Sequence, residues 1–544
     1  MYQPEGLRTD EYLPWSRGRG NDVWAMLRSA ADGDIATLQA LIAREPSLVD
    51  CGYQYYRPLF FAVRSNQLEA VRLLLDAGAG PMCDGLGYQP SYRPKNPSNL
   101  PWPPTMARER GYVEIAALLD ATLWTRFQIA PDGVLLPEPI RARDAAEVGR
   151  LLDARPELLH MADGFGNKPI HWAVMTRQMP LIDLLLARGA DIEAMRPDNA
   201  KPIDLTNGDY HYRGWRDVPR WLIRPHEVLI GYLIARGAYY DISTAAQLGD
   251  LERVRALLDE RPERANELPT SSDYYNGVPL RCAAKGGHLE VVRLLLERGA
   301  DPNRPEAVAP FGGALYEAIG GKHWEIVKLL LAHGANASGH VESSGNCYWR
   351  AKRDGAPAEI LKLLASHGGM LDAELASYDG DIEALALMLT ANPQLCVYEH
   401  MSTDDEEVLR LVMRFQPSVL SKKTFNGAKS VEHARWLLDH GIDPRTPNWL
   451  GVTPLHRLAI EGKIEMAALC LEYGAEIDPI DDEYSSTPLG WAARAGRKEM
   501  LEWLLERGAN ANAPADIAWA QPLAWAELFG HAEVADVLRQ ALKV

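Results

Sequence analysis

Residues 451–479 read GVTPLHRLAIEGKIEMAALCLEYGAEIDP. A turn glycine opens the stretch. Thr453 and Pro454 follow, and proline in a first helical turn loses nothing because that N–H has no intrahelical partner. Threonine just before it is placed to cap the helix. Apolar residues then recur at helical spacing and cover one face only. Gly474 follows as a left-handed stop. One such unit cannot bury its apolar face alone, so it must stack on neighbours.

The neighbours exist. The same order recurs in STPLGWAARAGRKEMLEWLLERGANANAP (486–514), GVPLRCAAKGGHLEVVRLLLERGADPN (277–303) and GNKPIHWAVMTRQMPLIDLLLARGADIEA (166–194). Within single repeats the closing glycines Gly299, Gly334, Gly368, Gly441, Gly474 and Gly508 fall 33 to 35 residues apart. This period, with T-P-L-H-x-A and the closing L-L-x-x-G-A, resembles the ankyrin repeat. The resemblance covers roughly 22–544. It implies an all-α solenoid of about fifteen helix-turn-helix units with short β-turn fingers, a concave face and loop insertions. Four units, at 30–50, 143–163, 245–268 and 376–398, lack T-P-L-H and end in a proline-bearing tail. Units of this style open arrays in the family, so the reading is four blocks (22–130, 131–241, 242–370, 371–544) after an extension at 1–21.

The totals narrow the function. The chain has 544 residues and a formal net charge of −17, which argues against phosphate-neutralising nucleic-acid binding. Six well-separated cysteines offer no zinc spacing and read as reduced core thiols of a cytoplasmic protein. The N-terminus lacks a secretory pattern, and no apolar run reaches the ~18 residues of a membrane span. No metal or cofactor is expected.

The period breaks at insertions. Gly189 to Gly237 spans 48 residues because of TNGDYHYRGWRDVPRW, 206–221, set within an insertion near 207–224 between the two helices of one unit. A second insertion runs from 84 to 104, and a smaller one, SSDYYNG, from 271 to 277. These carry Tyr88, Tyr92, Trp102, Tyr210, Tyr212, Trp215, Trp221, Tyr274 and Tyr275, with Arg93, Arg213 and Arg216. Disordered loops are poor in aromatics, and Tyr, Trp and Arg dominate binding hot spots. The plainer reading is that such rings fold back as satellite cores.

The residue after the H of T-P-L-H is expected to face the concave groove. It is Phe61, Trp172, Cys282, Glu317, Arg457, Trp491 or Trp525. An aromatic-lined groove is therefore expected. The candidate binding residues are Phe61, Trp172, Tyr210, His211, Tyr212, Arg213, Trp215, Arg216, Asp217, Tyr274, Tyr275, Arg457, Trp491 and Trp525. His171 and His456 occupy the H position, to which the resemblance gives a structural role. Asp163-Gly-Phe-Gly166 reads as a turn, not a phosphate loop.

The expected function is a non-catalytic scaffold that binds a partner protein or extended peptide in the groove. The alternative is a pocket under the 207–221 insertion that takes a small polar or sugar-like molecule. The cluster Asp209, His211, Arg213, Arg216 and Asp217 keeps an enzyme within that alternative.

Overall fold

The structure is a computed structural model that describes every residue except 14–15, 17, 55, 81–102, 209–217, 219, 270–276, 307–308, 342–343, 394, 396–405, 421–424, 426–427 and 544. Among the described residues there are 29 α-helices and isolated β-bridges, but no strand. The longest helix, Val113–Phe127, has 15 residues, so no helix is long and apolar enough to cross a membrane.

Short first helices alternate with second helices that are mostly nine or ten residues long. Pro169–Met175 precedes Met179–Ala187, Pro279–Gly286 precedes Leu289–Glu297, and Pro454–Glu461 precedes Ile464–Glu472. Proline starts each first helix, as its fixed φ allows. The closing glycines all have positive φ, from 83° at Gly334 to 104° at Gly441. A Cβ built on Gly299, Gly334, Gly368, Gly441, Gly474 or Gly508 would meet nothing within 4 Å. Backbone conformation, not crowding, is what requires glycine there.

Units are stitched by polar side chains as well as by leucine faces. In three units the residue before the second helix reaches back to a carbonyl in the preceding unit's first helix. His288 donates to Gln247 O at 2.8 Å, Arg497 to Ile460 O at 2.9 Å and His531 to Arg494 O at 3.2 Å. Asn303 joins two further units by donating to Gly334 O and accepting from Asn336 N. In three of the four atypical units the proline opens a 3-10 turn instead of a glycine stop: Pro46–Asp50, Pro156–Leu159 and Pro262–Asn266.

The buried residues form four stacks. The second lies within 136–238 and the third within 242–364, with Tyr240 packed against both. The first (7–119) and the last (373–538) belong to a single cluster. Two small clusters bridge the remaining joints: Leu123, Ile129 and Ala162, and then Trp349, Leu371 and Leu375. The line of packing therefore returns to its start, and the N-terminal stack rests on the C-terminal one.

One first helix departs from the sequence reading. The segment before the 207–224 insertion is a single 3-10 turn, Pro202–Leu205. Gly208, at φ 73°, turns the chain away. Arg177 holds both roots of the insertion, donating to Thr206 O at 3.0 Å, Asn207 Oδ1 at 3.2 Å and Arg224 O at 3.0 Å. Of the 84–104 insertion, Pro103 and Pro104 already belong to the helix Pro103–Glu109.

Candidate functional site

The inner wall is built on the first helices and the fingers before them. His171 accepts from Lys168 N through Nδ1 at 3.0 Å and donates through Nε2 to Ala194 O, in the next finger, at 2.9 Å. His456 accepts from Thr453 N and donates to Ser486 O at 3.2 Å. Both rings are fully buried. Burial, the dominant influence, drives the His171 pKa down to about 3 and also lowers that of His456. These are neutral rings that tie one unit to the next.

The next residue along lies against a finger carboxylate. Trp172 donates Nε1 to Asp163 Oδ2 at 2.8 Å, and Trp491 donates to Asp481 Oδ2 at 2.9 Å. Each aspartate also holds its own turn. Asp163 accepts from Phe165 N and Asn167 N; Asp481 accepts from Glu483 N, Tyr484 N and Ser486 N. Burial pushes the Asp163 carboxyl up, against the pull of those donors.

The N-terminal stack closes over part of this wall. Trp449, on a C-terminal finger, meets Tyr53, Tyr56 and Phe61 at ring separations of 5.4, 5.2 and 5.7 Å. Its Nε1 donates to Gln54 Oε1 at 2.9 Å. Tyr2 N donates to Trp449 O at 3.0 Å. Arg110 donates to Arg64 O at 2.8 Å and to Glu483 O at 2.9 Å, and its guanidinium lies 4.2 Å from the Trp519 ring. Arg494 stacks on Tyr484, Trp525 and Phe529, with Nη1 3.6 Å from Glu109 Oε2. That distance is too long for a hydrogen bond.

Among the described residues, Arg64 Nη1, Glu109 Oε2, Glu483 Oε2, Arg494 Nε and Nη1 and Trp525 Nε1 are buried without a hydrogen-bond partner. Arg494 Nη1 and Glu109 Oε2 face each other as an ion pair, which offsets part of the cost of burying them. Burial pushes Glu483 up to about 7 and Arg110 down to about 10.

Comparison with known proteins decides the repeat type. A family profile described as "Ankyrin repeats (3 copies)" matches residues 238–306 and 423–515, and one described as "Ankyrin repeat" matches 165–194. This chain contains ankyrin repeats. Human transient receptor potential cation channel subfamily A member 1 is 25% identical over 260 residues, which is 44% of this chain and 18% of the channel. Mouse protein phosphatase 1 regulatory subunit 27 is 31% identical over 93 residues, 17% of this chain and 58% of the mouse protein. The chain thus spans less than two thirds of either relative.

The ankyrin wall corrects one expectation. Phe61, Trp172, Trp491 and Trp525 do not line an open groove; each is at most 1% exposed. Phe61 is covered by Trp449. Trp172 and Trp491 are drawn onto their finger aspartates. Trp525 is packed among Tyr484, Trp519 and Arg494. Arg457 is half-buried, with its guanidinium 5.7 Å from the Trp491 ring. Tyr210, His211, Tyr212, Arg213, Trp215, Arg216, Asp217, Tyr274 and Tyr275 lie outside the described residues, as do Tyr88, Tyr92, Arg93 and Trp102. Trp221, at the end of the inserted strip, is 84% exposed beside Leu222 at 58%.

Sequence reasoning missed Arg64, Arg110, Glu483, Trp449 and Arg494. For the aspartates a local signal existed: Asp163 and Asp481 stand nine and ten residues before a first-helix tryptophan. The described cysteines Cys51, Cys282, Cys347 and Cys470 are buried free thiols. Burial raises the pKa of the last three to about 12. Among the described residues no group of three or more His, Cys, Asp or Glu is placed to hold a metal.

Proposed function

We propose that this ankyrin-repeat chain is a non-catalytic scaffold that binds a partner protein or an extended peptide, with the 207–224 insertion as its principal anchor. Ankyrin repeats imply a protein–protein interaction role, and one relative is by name a regulatory subunit. The observation that carries the choice of surface is Trp221, 84% exposed on a loop whose roots Arg177 clamps. An exposed indole offers a large contact area of the kind that dominates binding hot spots. Trp215 and Arg216 in the same strip are proposed to share the contact. The inner-wall tryptophans are not part of it while they stay covered. The test is a quantitative capture of binding partners by the full chain and by Trp221→Ala and Trp215→Ala/Arg216→Ala variants. Loss of a specific partner with an unchanged thermal midpoint supports the reading. Full retention of every partner refutes it.

A second reading has its own observation. A cleft of about 160 Å3 lies between the second and third stacks, lined by Lys201, Asp204, Tyr239, Thr244, Arg261 and Leu268. Burial pushes the Asp204 carboxyl up to about 7. A raised carboxyl beside an aromatic ring and cations suits a small polar or sugar-like molecule. A thermal shift with monosaccharides that disappears in Asp204→Asn would move the function here.

A further inference from the structure

A row of cations runs along the second and third stacks, at or just past the C-terminal ends of first helices. Arg177 follows Pro169–Met175, Lys285 lies in Pro279–Gly286, Lys322 follows Ala314–Gly320, and Arg353 closes Cys347–Arg353. Arg224, at the root of the 207–224 insertion, joins the row because Arg177 donates to its carbonyl at 3.0 Å. The row is continuous across the joint between the two stacks. Burial lowers the His226 pKa and Glu227 opposes that, but Arg177 from the second stack and Lys285 from the third both lower it further, so both cations face this ring.

The charge of the row is not cancelled locally. Arg224, Lys285 and Lys322 are exposed, and among the described residues they enter no ion pair. The carboxylates of the same units are already engaged. Glu227 pairs with His226 at 2.6 Å, Glu317 with Arg281 at 3.6 Å, and Asp354 with Arg350 at 3.3 Å and Arg353 at 3.6 Å. The acidity of the chain lies elsewhere. Residues 242–370 hold 15 Lys and Arg against 16 Asp and Glu, whereas 371–544 hold 15 against 28. An acidic ligand is therefore attracted to this row and turned away from the fourth stack.

We propose that the row is the docking track for an extended acidic segment of a partner protein, which sets its carboxylates on Arg224, Lys285 and Lys322 and an apolar residue against Trp221 and Leu222. Units stack at ~8–10 Å, and an extended chain rises by ~3.1 Å per residue. The segment therefore presents an acidic residue about every third position where it crosses from Lys285 to Lys322. The inference rests on the scaffold reading, gives the partner its chemistry and carries the contact from Trp221 along the third stack.

Fluorescence anisotropy of a labelled peptide of Glu-Pro-Ser repeats, kept extended by its prolines, tests this on the full chain. The peptide should bind, and more weakly as salt is added. The same peptide with glutamine for glutamate should not bind. Lys285→Gln/Lys322→Gln should lose about fivefold in affinity with an unchanged thermal midpoint, and Lys285→Glu/Lys322→Glu should lose more. The proposal fails if the parent chain does not bind the glutamate peptide at about 1 mM, if the glutamine peptide binds equally, or if the lysine variants bind like the parent. Tighter binding of a single-stranded oligonucleotide at the same salt would also overturn it. The scaffold reading is tested separately, since it depends on partner capture by Trp221→Ala and not on these peptides.

Discussion

Trp449 donates its indole N–H to the Gln54 side-chain oxygen at 2.9 Å, although 395 residues of chain separate the two. The bond lies within a nest of rings from both ends of the molecule. Trp449→Phe keeps one aromatic ring but removes the N–H and part of the buried indole, and should cost about 1–3 kcal/mol. Phe61→Ala empties a fully buried site and should cost about 3–5 kcal/mol. Thermal melts of the two variants check the order. A larger loss from Trp449→Phe than from Phe61→Ala would place the weight of the contact on Trp449 rather than on Phe61.

Asp481 offers a sharper comparison. Its carboxylate satisfies three backbone N–H groups and the Trp491 indole. Asp481→Ala leaves these donors buried and unpaired, and a loss of several kcal/mol is expected, at ~1–3 kcal/mol for each bond. Asp481→Asn retains one acceptor oxygen and should lose less. Tryptophan emission, red-shifted in the alanine variant and nearly native in the asparagine variant, reads the difference.

These two cases mark what was legible in the chain. The repeat was readable because it is local: glycine, proline and leucine sit at fixed offsets, and His171 and His456 take the unit-to-unit role that the motif implies. The Asp163–Trp172 pairing was also local and could have been found by asking where a buried indole N–H would bond. The pairing of Trp449 with Tyr56 and Phe61 leaves no such trace. No periodicity links residues that far apart, so rings belonging to an internal contact read as an open groove. The Pro202–Leu205 turn escaped for a related reason, since Arg177, from the preceding unit, holds the chain ends that follow it.

Stability should respond to pH from two sides. The His171 pKa is lowered to about 3, so its contribution is present above the ordinary histidine value and is lost as pH falls towards 3. Glu483 and Asp204 are raised to about 7. Their contribution is full below the ordinary carboxylate range and is lost as pH rises through 7, on the order of 1–3 kcal/mol each. Between about pH 5 and 6.5 the histidine contribution rises while the carboxylate contribution falls, so the test is the difference: denaturant midpoints of a Glu483→Gln/Asp204→Asn variant should rise with pH more steeply than those of the parent chain. A slope unchanged by both substitutions would contradict the assignment.

Arg177 is the residue to change if the insertion is to be loosened without unfolding the stack. Arg177→Ala removes bonds at both roots of the loop. Limited proteolysis between 207 and 224 should accelerate severalfold, while the thermal midpoint moves by the equivalent of about 1–2 kcal/mol. Equal cleavage rates would show that the loop does not depend on this clamp.

The central claim is that a stack of this length folds back until its ends touch. Small-angle X-ray scattering of the full chain measures that directly. A compact chain of this size has a radius of gyration of ~24 Å, whereas an open row of about fifteen units at ~8–10 Å spacing approaches ~40 Å. A value below ~30 Å at pH 5, with no extended tail in the distance distribution, is the predicted result. A value near ~40 Å under the same conditions would contradict the closed arrangement and the cross-chain cover of Phe61 by Trp449.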